Sequence, residues 1–297
     1  MGSSELKKED IEKIDGYVFL DLNHPLCAWA TCRGILTSAP ERAGFLSVWA
    51  AGILTNDNTR KLIFEEQLDI VRSNEFPQRI SRMQGMFYFP DWKDVEAACS
   101  WGVGSRNHFR LENVSSINLF LADRRRDRLD SNWITHAKID CEGQLVDLDS
   151  ARRYWSGDAY PDENPTWETL ILGKIGVLSP EIRRRAYEKV KIEFPESLCF
   201  LEVSRLGAYL GFSVGETHAF LSHSEDMVEL QYFMNMEEAE NPDFLAGIVD
   251  LRKSGDWINY ADLRNQLDKG SFGAVPDLRP YGLSCSADSL TWPKRNF

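Results

Sequence analysis

Residues Ala151–Leu178 read ARRYWSGDAYPDENPTWETLILGKIGVL, and the interpretation of the whole chain depends on them. A helix-like run over Val146–Tyr154 precedes a polar loop that contains prolines. Glu168 then stands at the head of an apolar strand, Thr169–Leu172, and a second short strand follows at Ile175–Leu178. A carboxylate fixed at the start of a core strand, behind an aromatic-rich loop, is suited to catalysis. Glu168 is therefore the candidate catalytic residue.

The composition is typical of a soluble globular protein. The chain has 297 residues, 43% of them hydrophobic and 27% charged, which is enough for one large domain or two ordinary ones. No apolar run approaches the roughly 18 residues of a membrane helix, and the polar start lacks the apolar core of a secretion signal. The six cysteines and five histidines are scattered, without a C-x-x-C pair. These features predict a cytoplasmic protein with reduced cysteines, no membrane contact and no metal site.

The charge balance is acidic, with a formal net charge of −12. A chain with this charge has no general electrostatic attraction to nucleic acid. We therefore expect any contact with nucleic acid to be local, for example around Arg124, Arg125, Arg126 and Arg128.

The hydrophobic pattern predicts strands and helices in an irregular order. Strands are predicted at residues 17–22, 86–89, 116–122, 132–139, 169–172 and 175–178. Helices are predicted at residues 40–54, 58–74, 92–101, 146–154, 181–194, 200–212 and 259–267. This order indicates an α+β fold with a mixed β-sheet core and flanking helices, rather than regular βαβ alternation.

The character of the chain changes after residue 178. Residues 1–178 are predicted to form the core, and residues 179–297 a mainly helical C-terminal extension packed on it. Within the extension, residues 225–243 carry seven acidic residues and several methionines. This stretch is predicted to be an exposed helix face, and its methionines would suit an adaptable partner surface. From Gly270 onwards the Pro, Gly and Ser content predicts irregular structure.

Two common nucleotide-binding motifs are missing from the sequence. Neither G-x-G-x-x-G nor G-x-x-x-x-G-K-[ST] occurs. Their absence disfavours dinucleotide binding of the Rossmann type and phosphate binding by a P-loop.

The stretch Gly85–Asp91, GMFYFPD, leads into a helix that holds Val95, Ala97, Ala98 and Cys99. This arrangement resembles a signature of the ADP-ribosyltransferases, in which a glycine-led aromatic strand runs into a helix beside the nicotinamide pocket. That family also carries a His or Arg that grips NAD on its first strand, and its late strand opens with a catalytic Glu. Asn23 and His24 end the first predicted strand here, and Glu168 opens a late one, so the order of the three segments is the same.

A wider pattern, FPQRISRM…FYFPDWKDVEAAC…ARRYWSG…WETLILGKIGV, is similar to bacterial proteins of this fold that are related to toxins of toxin–antitoxin and phage-defence loci. The resemblance covers about residues 15–178 and implies NAD as the substrate and an antitoxin protein as a partner. Two departures matter. The Ser-Thr-Ser segment is missing, and Ser81 is its nearest substitute. Thr166 stands where a second acidic residue is usual, which argues against arginine-directed protein modification.

The resemblance implies a role for each candidate residue. The bond between ribose and nicotinamide would break through an oxocarbenium-like cation, which the Glu168 carboxylate would stabilise. Arg79 and Arg82 would clamp the diphosphate, and Ser81 would bond the ribose or the carboxamide. The remaining NAD contacts are stacking by Tyr88 or Trp155 and a hydrogen bond from His24 or Asn23 to a ribose hydroxyl.

Several functions remain open from the sequence. A nucleic-acid base is the favoured acceptor of ADP-ribose, and a protein side chain is the alternative. Water as the acceptor would make the protein an NAD glycohydrolase, and a non-enzymatic binding module would keep the fold without the chemistry. We expect the loop Ser156–Trp167 to touch the acceptor, and the extension after Ser179 to bind the antitoxin.

Overall fold

The structure is a computed structural model that describes residues 14–55, 59–100, 109–120, 125–224, 226–254 and 273–286. The predicted helix at residues 259–267 and Arg124 of the arginine cluster lie outside the described residues. The same is true of Trp101, the last residue of the helix predicted at 92–101.

The strands in the described part of the chain form three sheets, in the orders β1-β5-β8-β2, β11-β10-β9-β3 and β4-β7-β6. An isolated bridge between Tyr17 and Phe89 connects the first sheet to the third. The strands are β1 Gly16–Phe19, β2 Ile35–Thr37, β3 Phe45–Leu46, β4 Met86–Tyr88, β5 Val114–Leu119, β6 Arg125–Asp130, β7 Trp167–Leu172, β8 Lys174–Val177, β9 Thr217–His223, β10 Met227–Met234 and β11 Leu283–Ser286.

Helices cover the sheets and fill the connections between them. They are α1 Pro25–Arg33, α2 Val48–Thr55, α3 Thr59–Glu75, α4 Trp92–Ala98, α5 Asn132–Thr135, α6 Asp149–Ser156, α7 Pro180–Glu193, α8 Leu198–Tyr209 and α9 Pro242–Ser254. The α+β class is therefore confirmed.

The prediction of a mixed sheet is wrong, because every strand pair between the described strands is antiparallel. Antiparallel sheets can leave one face to solvent, so their strands alternate between apolar and polar residues. Such strands are harder to recognise in sequence than fully buried ones.

The strand predicted at residues 132–139 is also wrong, since Asn132–Thr135 forms α5 and the strand lies earlier, at β6. The reason is the buried Asp130, whose carboxylate accepts the backbone N–H groups of Asn132, Tyr160 and Thr166. These bonds turn the chain out of the sheet directly after β6.

The acidic, methionine-rich stretch at residues 225–243 is not a helix face, because residues 227–234 form strand β10. Val228, Leu230 and Tyr232 are buried and alternate with more exposed neighbours, which is the period of a strand. Together with β9 and β11, this strand gives the extension a sheet in addition to helices α7, α8 and α9.

Two shorter segments also differ from the predictions. The helix predicted at residues 40–54 begins only at Val48, after the short strand β3. Pro25 ends the first predicted strand but also occupies the first turn of the unpredicted helix α1. Proline fits this position because its missing N–H needs no partner in the first helical turn.

The main hydrophobic core contains residues from both sides of Ser179. Trp29 of α1 is fully buried there, and its Nε1 donates a hydrogen bond to the carbonyl oxygen of Gly215, 3.0 Å away. Phe200 of α8 stacks on the same indole ring. Residues 1–178 and the described part of the extension therefore share one core.

A second, smaller core lies between the β4-β7-β6 sheet and helices α3 and α6. Its fully buried members include Leu68, Leu129, Trp155 and Leu170. The second core is the one that holds Glu168.

None of the described helices combines the length and apolar character needed to cross a membrane.

Candidate active site

Glu168 is the second residue of β7 and is buried, with 3% of its surface exposed. It lies opposite Leu129 of β6 and shares a sheet face with Leu170, toward α3 and α6. Its Oε1 accepts hydrogen bonds from Arg82 Nη1 at 2.5 Å and from the Tyr154 hydroxyl at 2.6 Å. The sequence pattern therefore placed this carboxylate correctly at the start of a core strand, and the fold encloses it.

Arg82 is the centre of the site, because its buried guanidinium bridges two carboxylates. Nη1 donates to Glu168 and to the Tyr154 oxygen, while Nε and Nη2 donate to the two oxygens of Glu65 at 2.8 and 3.2 Å. Burial alone would lower the pKa of Arg82, but the carboxylates of Glu168 and Glu65 outweigh it and raise that pKa above its ordinary value. Arg82 therefore stays charged.

Tyr154 is supplied by α6, which ends at Gly157 in the left-handed conformation that favours glycine. The phenol is fully buried. Burial raises its pKa, the nearby Arg82 opposes that rise, and Glu168 adds to it. The hydroxyl therefore keeps its proton and acts as a neutral donor to Glu168.

Three half-buried side chains form a rim around Arg82. The ring centroids of Trp49 and Phe87 are 4.9 Å apart in an edge-to-face arrangement, and Arg82 Cζ lies 4.6 Å from the Phe87 centroid. Lys61 Nζ lies 5.3 Å from the centroid of the Trp49 ring. Desolvation lowers the pKa of Lys61, which Glu65 partly counteracts. We call Trp49, Lys61, Glu65, Arg82, Phe87, Tyr154 and Glu168 the Arg82 cluster.

Arg79 and Ser81 belong to the same loop as Arg82 but are engaged elsewhere. Arg79 donates to Asp127 of β6 at 3.0 Å and to the carbonyl oxygens of Trp155 and Ser156. The Ser81 hydroxyl donates to Asp69 of α3 at 2.7 Å. Both side chains therefore fix the loop that presents Arg82, to β6 and α6 on one side and to α3 on the other.

The aromatic candidates lie away from Glu168 or are enclosed. Tyr88 is buried on the opposite face of β4, where its hydroxyl is 3.5 Å from Arg126 Nη1. Trp155 is fully buried, and its Nε1 donates to the carbonyl oxygen of Leu68. Phe87, the neighbour of Tyr88, is the ring that reaches Arg82, since successive strand residues face opposite sides.

The polar end of the first strand is not part of the cluster. His24 lies 3.3 Å from the Tyr232 hydroxyl, measured from Nε2, and burial lowers its pKa. Asn23 is exposed and bonds through its backbone N–H to Asp21. Of the candidate residues, the structure therefore brings Glu168 and Arg82 into contact.

The loop predicted to touch the acceptor is tied down at both ends. The backbone N–H groups of Tyr160 and Thr166 bond to the buried Asp130 carboxylate. Residues 161–164 between them are exposed. This exposed part is what remains available for a contact with a ligand.

Five members of the cluster were missed in the sequence, namely Trp49, Lys61, Glu65, Phe87 and Tyr154. A usable signal existed for two of them. Lys61 and Glu65 are four residues apart, and Glu65 lies near the apolar residues Leu62 and Leu68 of α3 although it is a carboxylate. A Glu on the apolar side of a helix indicates a buried partner. The structure agrees, because Glu65 is only 1% exposed.

The cluster is electrically balanced, with two carboxylates facing one guanidinium and one ammonium. Removing one partner of a buried ion pair generally costs about 3–5 kcal/mol, so the charges hold one another in place. The arrangement suits electrostatic stabilisation of a cation near Glu168, with Tyr154 and Arg82 orienting the carboxylate. Among the described residues, no three His, Cys, Asp or Glu side chains are grouped to hold a metal ion.

Comparison with known proteins gives one match. The sequence profile of a family described as "Protein of unknown function (DUF2441)" matches residues 45–188. No match was found among curated proteins or among solved structures. The chain is therefore similar over residues 45–188 to a family without an assigned function, and every residue of the Arg82 cluster falls within that range.

Proposed function

We propose that the protein is an ADP-ribosyltransferase that uses NAD and modifies a nucleic-acid base, acting as a cytoplasmic toxin of a toxin–antitoxin or phage-defence system. The observation that carries the proposal is the Glu168 carboxylate, held at the start of a core strand by Arg82 and Tyr154. The ADP-ribosyltransferase resemblance of the surrounding sequence supports it. The missing second carboxylate at Thr166 favours a base over an arginine side chain as the acceptor.

The proposed reaction breaks the glycosidic bond between C1′ of the ribose and the nicotinamide nitrogen. Nicotinamide leaves with the bonding electrons, and positive charge develops on the ribose. Glu168 stabilises that charge because its carboxylate is already oriented in a site from which water is excluded. A nucleophilic atom of the acceptor then bonds to C1′ and releases its proton, while water in its place gives free ADP-ribose.

The rim gives NAD a route to the buried pair. Trp49 and Phe87 are half-buried aromatic rings, and flat rings of this kind stack on nicotinamide or adenine. Lys61 stands at the same rim, where its ammonium suits the diphosphate. In this proposal Lys61 alone faces the diphosphate. Arg79 is bound to Asp127 and to two carbonyl oxygens. Arg82 is buried and bound to Glu65, Glu168 and Tyr154.

The test compares two variants that remove one buried carboxylate each from the same guanidinium. Glu168→Gln is expected to lower NAD turnover by about 10²–10³-fold. Glu65→Gln is the matched control, because Glu65 also bonds Arg82 and is equally buried. Turnover is measured as nicotinamide release, and folding by denaturant unfolding. The proposal fails if both variants lose turnover only in proportion to stability.

A non-enzymatic binding module is the second candidate function, and the burial of Glu168 and Arg82 favours it. Under this function the cluster serves only to hold α3 and α6 on the sheet. It predicts no nicotinamide release by the wild-type protein at any NAD concentration. Mass spectrometry of RNA, DNA and protein after expression separates transfer from hydrolysis, because only transfer leaves ADP-ribose on an acceptor.

A further inference from the structure

A groove opens where the ends of the three sheets meet. Its volume is about 580 Å³, which is within the range of sites for small ligands. The polar residues of its wall come from all three sheets or the segments next to them and include Thr37, Arg125, Lys174, Glu216, His218 and Asn235. Thr37 Oγ1 is buried there and has no hydrogen-bond partner among the described residues.

The groove wall carries one cation, Lys174, beside the buried carboxylate of Glu216, which also binds the buried Arg33 behind the wall. Glu216 Oε1 accepts a hydrogen bond from Lys174 Nζ at 2.5 Å and one from Arg33 Nη2 at 3.4 Å. The next carboxylate, Glu238, is bonded to Ser213. Lys174 is a third exposed, so its ammonium faces the groove as well as Glu216.

A second cation stands at the edge of the groove. Arg125 is 46% exposed and pairs with Glu41, which is 56% exposed. Exposed ion pairs of this kind contribute only about 0–1 kcal/mol, so a stronger anion can replace Glu41. Arg125 and Lys174 together offer an anion two contacts.

The outer face of the β11-β10-β9-β3 sheet continues the groove as an aromatic surface. Phe45 packs edge-to-face on Phe220 and on Phe233, with centroids 5.3 and 5.6 Å apart, and His218 lies opposite Phe233 in the ladder. Phe233 is 38% exposed although the inner face of the same strand is buried. We call Phe45, His218, Phe220 and Phe233 the aromatic platform.

We propose that the aromatic platform and the groove bind single-stranded nucleic acid, with bases stacked on the platform and phosphates held by Lys174 and Arg125. Rings at the surface of an antiparallel sheet, next to cations, are a combination that holds unpaired bases. In the platform Phe233 is exposed, and Phe45, His218 and Phe220 are half-buried. His218 belongs to both parts and joins them.

The groove and Glu168 lie at opposite ends of strand β7. Leu172 lines the groove and follows Glu168 by four residues in β7, which is about 13 Å of extended strand. Assigning the bound strand as the acceptor of ADP-ribose rests on the proposed function. Binding of the strand does not rest on it, because it needs neither NAD nor Glu168.

The test measures binding of labelled single-stranded RNA and DNA oligonucleotides to the full chain by fluorescence anisotropy. Phe233→Ala is expected to weaken binding roughly five- to 150-fold, the range for losing one stacked base. Tyr209→Ala is the matched control, since Tyr209 is an aromatic residue that is 72% exposed and lies outside the platform. Lys174→Gln is expected to make the salt dependence shallower by about 0.7 in slope for one lost phosphate contact.

Three results would overturn the proposal. These are no oligonucleotide binding by the wild type, equal binding by Phe233→Ala and Tyr209→Ala, and displacement by AMP at the same nucleotide concentration, which would indicate a site for free nucleotides. Nicotinamide release is recorded in parallel in the presence of the oligonucleotides, which supply the proposed acceptor. Oligonucleotide binding without nicotinamide release would reject the proposed function and support the proposed binding surface. Nicotinamide release without oligonucleotide binding would support NAD turnover and reject the binding surface.

Discussion

Two buried arginines in this protein, Arg82 and Arg33, each bind buried carboxylates, but their remaining N–H groups are used differently. Arg82 directs its N–H groups to Glu65, Glu168 and Tyr154, all of them side chains. Arg33 bonds Glu216 and also the carbonyl oxygens of Phe212 and Val214. Arg33 therefore mainly fixes the loop at Phe212 and Val214, whereas Arg82 donates to the side chains of two glutamates and a tyrosine.

The two sites also differ in their access to solvent. Glu216 reaches solvent through Lys174, which is a third exposed, in an open groove. Glu168 is enclosed, and the half-buried side chains of Trp49, Phe87 and Lys61 form the rim around its partner Arg82. Enclosure strengthens the electrostatic interactions of Glu168 relative to those in the open groove.

The largest expected difference between the two sites is in stability. Arg82→Met leaves Glu65 and Glu168 buried without their guanidinium, so we expect the free energy of unfolding to fall by about 3–5 kcal/mol. Arg33→Met leaves Glu216 paired with Lys174, and we expect a smaller loss of about 1–3 kcal/mol. Urea denaturation measures both. Equal losses would contradict the distinction between the two arginines.

A smaller effect is expected for the phenol of Tyr154. Tyr154→Phe removes a donor to a charged carboxylate, and hydrogen bonds of this kind contribute about 1.5–3 kcal/mol. Tyr232→Phe is the control, because its hydroxyl faces His24, for which a neutral bond contributes about 0.5–1.5 kcal/mol. Thermal or urea unfolding of both variants checks the difference. A larger loss in Tyr232→Phe would show that the Glu168 contact contributes little.

Arg79 provides a test of how the Arg82 loop is held. Arg79→Lys loses the fork that reaches Asp127 and two carbonyl oxygens, and we expect a stability loss of about 1 kcal/mol. The KM for NAD should stay unchanged, because the side chain fixes the loop instead of binding the diphosphate. A raised KM at unchanged stability would restore Arg79 to the diphosphate clamp.

The smallest effect is a pH dependence that belongs to the groove. Desolvation lowers the pKa of His218 below its ordinary value of 6.5. Glu216 opposes this shift, and the nearby cations Lys174 and Arg33 add to it. The unfolded chain therefore binds this proton more readily, so stability is lost as the pH falls below 6.5 toward the lowered value. As the pH falls through this range, the free energy of unfolding of His218→Gln should decrease less steeply than that of the wild type. Parallel curves would exclude the histidine as the cause.

The contribution of the Arg82 cluster to stability depends on pH in the opposite direction, because the pKa of Tyr154 is raised. The native state keeps the phenol protonated above the ordinary value of 10.0, where the unfolded chain releases the proton. Stability is therefore lost as the pH rises above that value. Tyr154→Phe should remove this part of the alkaline loss, and acid should leave the wild type and the variant with the same slope.

The sequence predicted the elements with a strong hydrophobic signal and missed those without one. Strand β7 and its leading Glu168 were found because four apolar or β-branched residues, Thr169–Leu172, follow one another after it. Strand β6 was missed because its sequence RRDRLD is charged, and only the buried Asp127 and Leu129 mark the inner face. A charged strand becomes recognisable only when the partners of its buried carboxylate are known.

The site was predicted in part for a similar reason. Arg82 came from its place in a loop before an aromatic strand, which local sequence shows. Whether Phe87 or Tyr88 faces Glu168 depends on the register of β4 with β7, in which Phe87 pairs with Leu170 and Tyr88 with Thr169. A shift by one residue would exchange the two rings, so no local pattern decides between them.

The bond between Trp29 and Gly215 has a consequence for how the chain folds. The two residues are 186 positions apart, and the indole lies in the centre of the main core. Phe194 and Phe200 also pack against this indole, so all of these contacts to Trp29 form only after the segment from Phe194 to Gly215 has left the ribosome. Folding with contacts this distant is slow, and the unfinished chain exposes apolar surface for longer. A fragment that ends at residue 178 should therefore aggregate, even though it contains the complete Arg82 cluster.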